Sequence, residues 1–172
     1  MKLSVARELK LPGKTSAAEV TEWWNDFGYL GREVRFAAPV TVRAEYAFDG
    51  SGFSVRGGVV TAFHSVCARC GREFTEPFET EFDGRFEKEA DEESEAYPFA
   101  GEELDLGNLV RDAILLNMAN YTLCKEDCRG LCPVCGCDLN TEQCSCARDL
   151  DEDETVNPFL QLRNLLEDDK EV

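Results

Sequence analysis

Eight of the nine cysteines in this 172-residue chain fall into four close pairs. They are Cys67-x2-Cys70, Cys124-x3-Cys128, Cys132-x2-Cys135 and Cys144-x-Cys146, with Cys137 left over. The opening MKLSVARELKLPGK has no apolar core and no small-residue cleavage site, so no secretory signal is visible and a cytoplasmic location is expected. Disulfides persist in oxidising compartments. Paired cysteines in a cytosolic chain point instead to metal ligation or redox chemistry. Zinc takes four thiolates at about 2.3 Å in a tetrahedral array, and two cysteines a few residues apart wrap one side of such an ion. Gly71 and Gly136 follow their pairs directly, where a small residue lets backbone amides turn toward sulfur.

Four pairs make two sites, and the spacing suggests which pairs combine. Cys132/Cys135 and Cys144/Cys146 are separated by eight residues that include Gly136 and Asn140, enough to close a compact ribbon. Cys67/Cys70 is then expected to meet Cys124/Cys128, closing a long loop and coupling metal binding to folding. The expected cofactor is Zn2+, two ions, each held by four cysteine thiolates. Cys137 is a spare thiol in this scheme, or a substitute for a neighbour in the second site. A tetrathiolate zinc centre carries net charge −2, which Arg69, Arg72, Lys125, Arg129 and Arg148 can soften. Cys128-x3-Cys132-x2-Cys135 has the spacing that radical enzymes use with S-adenosylmethionine, but those need a large α/β barrel that this chain is too short to form. Redox catalysis by Cys67-Ala68-Arg69-Cys70 would want a βαβ setting, and none is visible.

The rest of the chain reads as α+β. Val34 and Phe36, then Val40, Val42, Ala44 and Tyr46, alternate with polar residues around a break at Pro39, a half-buried strand. Asp49-Gly50-Ser51-Gly52 is a turn, and Phe53 to Val66 continues as strand with Gly57-Gly58 as a bulge or bend. Phe74, Phe78, Phe82 and Phe86 mark another β segment that Pro77 assigns to an edge. Leu106, Leu109, Val110, Ala113, Ile114 and Met118 share one helical face, with Asp105 as cap. Trp23, Trp24, Phe27, Tyr29 and Leu30 form an aromatic and apolar cluster expected to pack on the main domain. Asn157-Pro158 opens a closing helix with Phe159, Leu162, Leu165 and Leu166 inward.

The expected architecture is thus an antiparallel β-sheet core with a packed helix, then a small zinc-ribbon-like cysteine-rich module and a short C-terminal helix. Its divisions are an N-terminal arm over 1–33, an α+β core over 34–123, a zinc module over 124–148, and an acidic linker with helix over 149–172. An acidic loop at 87–103, expected to be mobile, lies within the core.

Charge separates the two parts of the sequence. The net charge is −17, yet residues 1–66 carry net +1 and residues 67–172 carry net −18. A surface this negative repels phosphate backbones and favours basic protein partners. No apolar run is long enough to span a membrane. A single histidine, His64, no serine-nucleophile motif, no EF-hand string and no phosphate-cradling glycine loop leave no visible catalytic machinery and no small-molecule substrate. The chain is read as a non-enzyme.

Taken together, several strings resemble a known family. Val55-Arg56-Gly57-Gly58-Val59-Val60, Cys67-Ala68-Arg69-Cys70 with Phe74, and Leu104-Asp105-Leu106 leading into Val110 and Ile114-Leu115-Leu116 are similar to the bacterial large-ribosomal-RNA-accumulation family, YceD. Cys124-x3-Cys128-Arg129-Gly130-Leu131-Cys132-Pro133-Val134-Cys135-Gly136, with Asp138-Leu139-Asn140 and Cys144-x-Cys146, looks like its cysteine-rich branch. Asn157-Pro158-Phe159 with Leu162 and Leu165 resembles the family's closing segment, and the likeness spans 34–167. The resemblance implies a cytoplasmic accessory factor in the synthesis, processing or stability of 23S ribosomal RNA, with ribosomal or pre-ribosomal partners. The acidic balance favours a basic protein over naked RNA as the direct partner. Two alternatives stay open: zinc knuckles that bind ribosomal RNA through Arg69, Arg72, Lys125, Arg129 and Arg148, and a structural zinc protein with a non-ribosomal partner.

Overall fold

The structure, a computed structural model, describes residues 1–29, 31–88 and 95–146. The chain divides into two compact units: Met1–Cys67 with Arg72–Cys124, and Ala68–Gly71 with the chain from Lys125 onward.

The first unit is built on consecutive hairpins. β5 (Val40–Phe48) buries Val40, Val42, Ala44, Tyr46 and Phe48, every second residue, because a strand sends alternate side chains to opposite faces. β6 (Gly52–Val66) pairs antiparallel with β5 on one side and with β7 (Glu73–Glu87) on the other. Asp49 closes the β5–β6 turn by accepting the backbone N–H groups of Ser51 and Gly52, both at 2.9 Å. The five-stranded sheet is completed by β2 (Thr15–Glu22) beside β5 and by β8 (Tyr97–Pro98), parallel to the end of β7.

Helix α1 (Gly107–Asn117) covers the inner face with Leu109, Val110, Ala113 and Ile114, and Leu106 just before it is buried too. The N-cap is Leu106 rather than the expected Asp105, which sits one residue earlier and accepts the N–H of Gly107 at 2.9 Å through Oδ1. Gly84 makes the close approach possible: a Cβ there would lie 2.7 Å from Leu109 Cδ1. Phe53, at the centre, is fully buried and meets Phe48 and Phe99 at ring-centroid distances of 5.0 and 5.4 Å.

Four further expectations change. The N-terminal stretch, expected as an arm, is largely strand, with one 3-10 turn at Glu8–Lys10. β1 (Lys2–Ser4) pairs with β9 (Glu103–Asp105), β2 pairs with β5 over eight residues, and β3 (Phe27–Tyr29) forms a hairpin with β4 (Arg32–Val34). β2 reads weakly because it is an outer strand with small or charged residues, so its apolar alternation is faint. Gly57-Gly58 is no bulge: the ladder runs unbroken from Gly52↔Glu87 to Val66↔Glu73. A Cβ on Gly57 would sit 2.0 Å from the carbonyl oxygen of Arg43, so glycine is there for backbone approach. The acidic loop is partly ordered, since Tyr97–Pro98 joins the sheet and Phe99 is buried. The aromatic cluster splits: Trp24 and Phe27 pack on Phe36 at 6.0 Å each, whereas Trp23 is 69% exposed. Pro77 lies in β7 where, among the described residues, only β6 pairs with it, in keeping with an edge. The acidic run at 149–154 and the closing helix at Asn157-Pro158 lie outside the described residues, as do Leu30 and Arg148.

Candidate metal centres

Both expected groups of sulfurs come together. Cys67, Cys70, Cys124 and Cys128 have their Sγ atoms within 4.8 Å of one another, and so do Cys132, Cys135, Cys144 and Cys146. None of the nine cysteines is disulfide-bonded. Four sulfurs at about 2.3 Å around a tetrahedral ion stand about 3.8 Å apart. The observed spacing therefore suits a closed four-thiolate centre in each case, and the donor set suits zinc or another thiophilic cation.

Cys67 and Cys70 sit on the turn between β6 and β7. The Cys67 N–H donates to Arg72 O at 2.9 Å, and Gly71 takes a φ of +68°, which closes a tight knuckle. In the second unit Arg69 is an organising residue. Its guanidinium donates to the carbonyl of Cys128 at 2.8 Å, and its own carbonyl accepts the Leu131 N–H at 3.2 Å. Gly130, at φ +75°, lets this happen, since a Cβ there would meet Arg69 O at 3.0 Å.

The second group is more open. Cys132 is buried, Cys144 and Cys146 are half-buried, and Cys135 is exposed. The Cys132 N–H donates to Cys137 O, and the Gly136 N–H to Cys132 O, both at 2.9 Å, and Gly136 has φ +73°. Backbone N–H groups of Cys135 and Val134 aimed at the Cys132 sulfur hold its thiol down to about 6. Cys137 and Cys146 are pushed up to about 12, each first by hydrogen bonding with Cys135. Clustered thiols resist losing every proton until a cation arrives to balance the charge. Cys137 stays outside the set of four, although its thiol lies beside those of Cys135 and Cys144.

One contact at the first centre goes beyond the sequence reading, which placed Asn140 only in the segment between the second group's cysteine pairs. Asn140 Nδ2 lies 3.6 Å from Cys128 Sγ, as donor, while its Oδ1 accepts the Arg129 N–H at 2.9 Å. The signal was present in Asp138-Leu139-Asn140, because an Asx residue two after another marks a side-chain-closed turn. His64 is exposed on the outer face of the sheet.

The family model for the large ribosomal RNA subunit accumulation protein YceD matches residues 55–166. The chain belongs to the YceD family. The match spans both knuckles, the helix and the whole second group of cysteines. An Arabidopsis thaliana protein, the large ribosomal RNA subunit accumulation protein YCED homolog 1, chloroplastic, is 30% identical over 71 residues, 41% of this chain and 22% of that protein. The Zea mays protein of the same description is 39% identical over 51 residues, 29% of this chain and 17% of that one. The chain therefore spans about a fifth of the length of these curated relatives. No solved structure matches it. The family is one of ribosomal RNA accumulation factors and is not a known enzyme family.

Proposed function

We propose that this protein is a non-catalytic, cytoplasmic accessory factor for 23S ribosomal RNA, built around two structural zinc centres, and that it reaches its RNA through a basic protein partner. The observation that carries the partner is the outer face of the sheet. There β7 presents Glu79, Glu81 and Asp83 at alternate positions, all exposed. The arginines of the same face are already engaged: Arg43 with Glu19 at 2.7 Å, Arg56 with Glu45 at 2.8 Å, and Arg85 with Asp49 at 2.8 Å. Among the described residues the three β7 carboxylates make no ion pair. They line one side of a shallow depression of about 920 Å³ whose floor includes Gly57 and Gly58. Such a trough attracts lysine- and arginine-rich segments and repels a phosphate backbone.

The zinc reading is supported by the two sets of four sulfurs, each gathered within 4.8 Å. Each ion would fix its knuckles in place and add binding free energy to folding. The partner reading is tested by capturing the full chain from cells, with and without ribonuclease, beside a variant carrying Glu79→Lys, Glu81→Lys and Asp83→Lys. Basic ribosomal or assembly proteins should survive ribonuclease with the wild type and be lost with the variant, at unchanged metal content. Partners that vanish with the RNA would overturn this reading in favour of direct RNA recognition. Partners indifferent to the charge reversal would move the contact off this face.

A further inference from the structure

Resting on the reading of both cysteine groups as metal centres, we propose that Asn140 couples them: the turn framed by the second centre supplies the amide that holds Cys128 of the first. The geometry of the side chain is fully determined. The Arg129 N–H can be satisfied only by the oxygen of Asn140, at 2.9 Å, which turns the NH2 group toward sulfur. One N–H of that group goes to Asp138 Oδ1 at 2.7 Å and the other to Cys128 Sγ at 3.6 Å. Cys128 is 2% exposed, so no water competes for the sulfur.

The support comes from the stretch between the two cysteine pairs of the second centre. Asp138 accepts the Asn140 backbone N–H through Oδ1 at 2.9 Å, and through its carbonyl the N–H groups of Thr141 and Glu142 at 3.0 and 2.8 Å. Leu139 N–H donates back to Gly130 O at 3.0 Å, and Leu131 bridges Asp138. Cys132 and Cys135 stand before this turn and Cys144 and Cys146 after it. A cation gripping all four anchors both of its ends. With that cation gone, the turn loses this anchoring at both ends. An N–H donated to a metal-bound thiolate withdraws charge from a centre of net charge −2 and fixes the sulfur's direction.

The test uses the full chain loaded with cadmium-113, in which each four-thiolate centre gives its own resonance, assigned with Cys128→Ser and Cys144→Ser. A competing chelator is then titrated. Asn140→Ala should give up the first centre's ion at about 10–100-fold lower chelator, the usual effect of removing such a partner, and leave the second resonance unchanged. Exchanging the pair, Asp138→Asn with Asn140→Asp, keeps the turn and the acceptor for Arg129 but removes the donor to sulfur. It should behave like Asn140→Ala, whereas a purely structural role would be rescued. Removing the second centre with Cys144→Ser and Cys146→Ser should weaken the first by a similar factor, and adding Asn140→Ala should cost little more. Wild-type chelator resistance in both Asn140 variants, or rescue by the exchange, overturns the proposal. Absence of any tetrathiolate cadmium signal overturns the metal reading itself, and this coupling with it.

Discussion

Gly57 and Gly58 stand side by side in β6, yet a methyl group added to each should act in opposite directions. Neither has a left-handed φ, so alanine is conformationally acceptable at both. At Gly58 the nearest atom to a new Cβ is Thr80 O at 3.6 Å, an ordinary contact. Gly58→Ala should stabilise by about 0.4–1 kcal/mol, because the unfolded chain loses freedom. At Gly57 the new Cβ would lie 2.0 Å from Arg43 O and 2.9 Å from Ala44 Cα, and both of those atoms are backbone. They lie in the middle of the β5–β6 ladder, paired as Arg43↔Gly58 and Ala44↔Gly57, so a whole strand must shift. Overpacking of this kind costs about 1–3 kcal/mol, and a rigid neighbour sets the figure at the upper end, about 3 kcal/mol. For a chain of this size that lowers Tm by about 6–12 °C, against a rise of about 1–4 °C for Gly58→Ala. Thermal melts of the metal-loaded protein by far-ultraviolet circular dichroism measure both. Equal losses at the two positions would restore the bulge and refute the close-approach argument.

Two further outcomes are expected. Asp49 is held well below the usual carboxylate range by Arg85, by the Gly52 and Ser51 amides and by the Ser51 hydroxyl. A depressed carboxyl contributes stability that is present above its unfolded value and lost as pH falls through the folded one. Asp49→Asn should therefore melt earlier than wild type at pH 7, and the gap should narrow as the solution is acidified below about pH 4. Metal uptake at the second centre requires thiolates, so Cys146, held up to about 12, must lose its proton on binding. Calorimetric titration in buffers of different ionisation enthalpy should thus show proton release on binding. Apparent affinity should rise between pH 6 and 8; an affinity flat across that range would contradict the thiol assignment.

The sequence was informative wherever one strong constraint acted alone. Cysteine spacing anticipated both groups of four, because ligand geometry leaves few ways to wrap an ion. The helix face at Leu109, Val110, Ala113 and Ile114 and the alternation from Val40 to Phe48 were legible because burial enforces a single period. β2 was not, since an outer strand of alanine, serine, threonine and glutamate has too little buried surface to impose alternation. The acidic trough was hidden for another reason. Glu79, Glu81 and Asp83 are unremarkable along the chain and become a feature only when register sets them opposite Val60, Gly58 and Arg56. Asn140 illustrates the same limit, because twelve residues separate it from the sulfur it contacts.

The order of pairing along the chain also bears on how the protein matures. β5, β6 and β7 join each to the next, and β2 adds to β5, so this four-stranded portion is encoded within residues 15–87. A ribosome emitting the chain releases that stretch well before Cys124 and Cys128 exist. Sequential hairpins have low loop-closure cost and form early. If the first centre takes an ion as proposed, that capture comes after residues 15–87 have been made and locks a sheet already formed. On the proposed zinc reading, cells short of zinc should accumulate newly made protein with a formed sheet and unligated thiols, a population exposed to oxidation and proteolysis until the ion arrives.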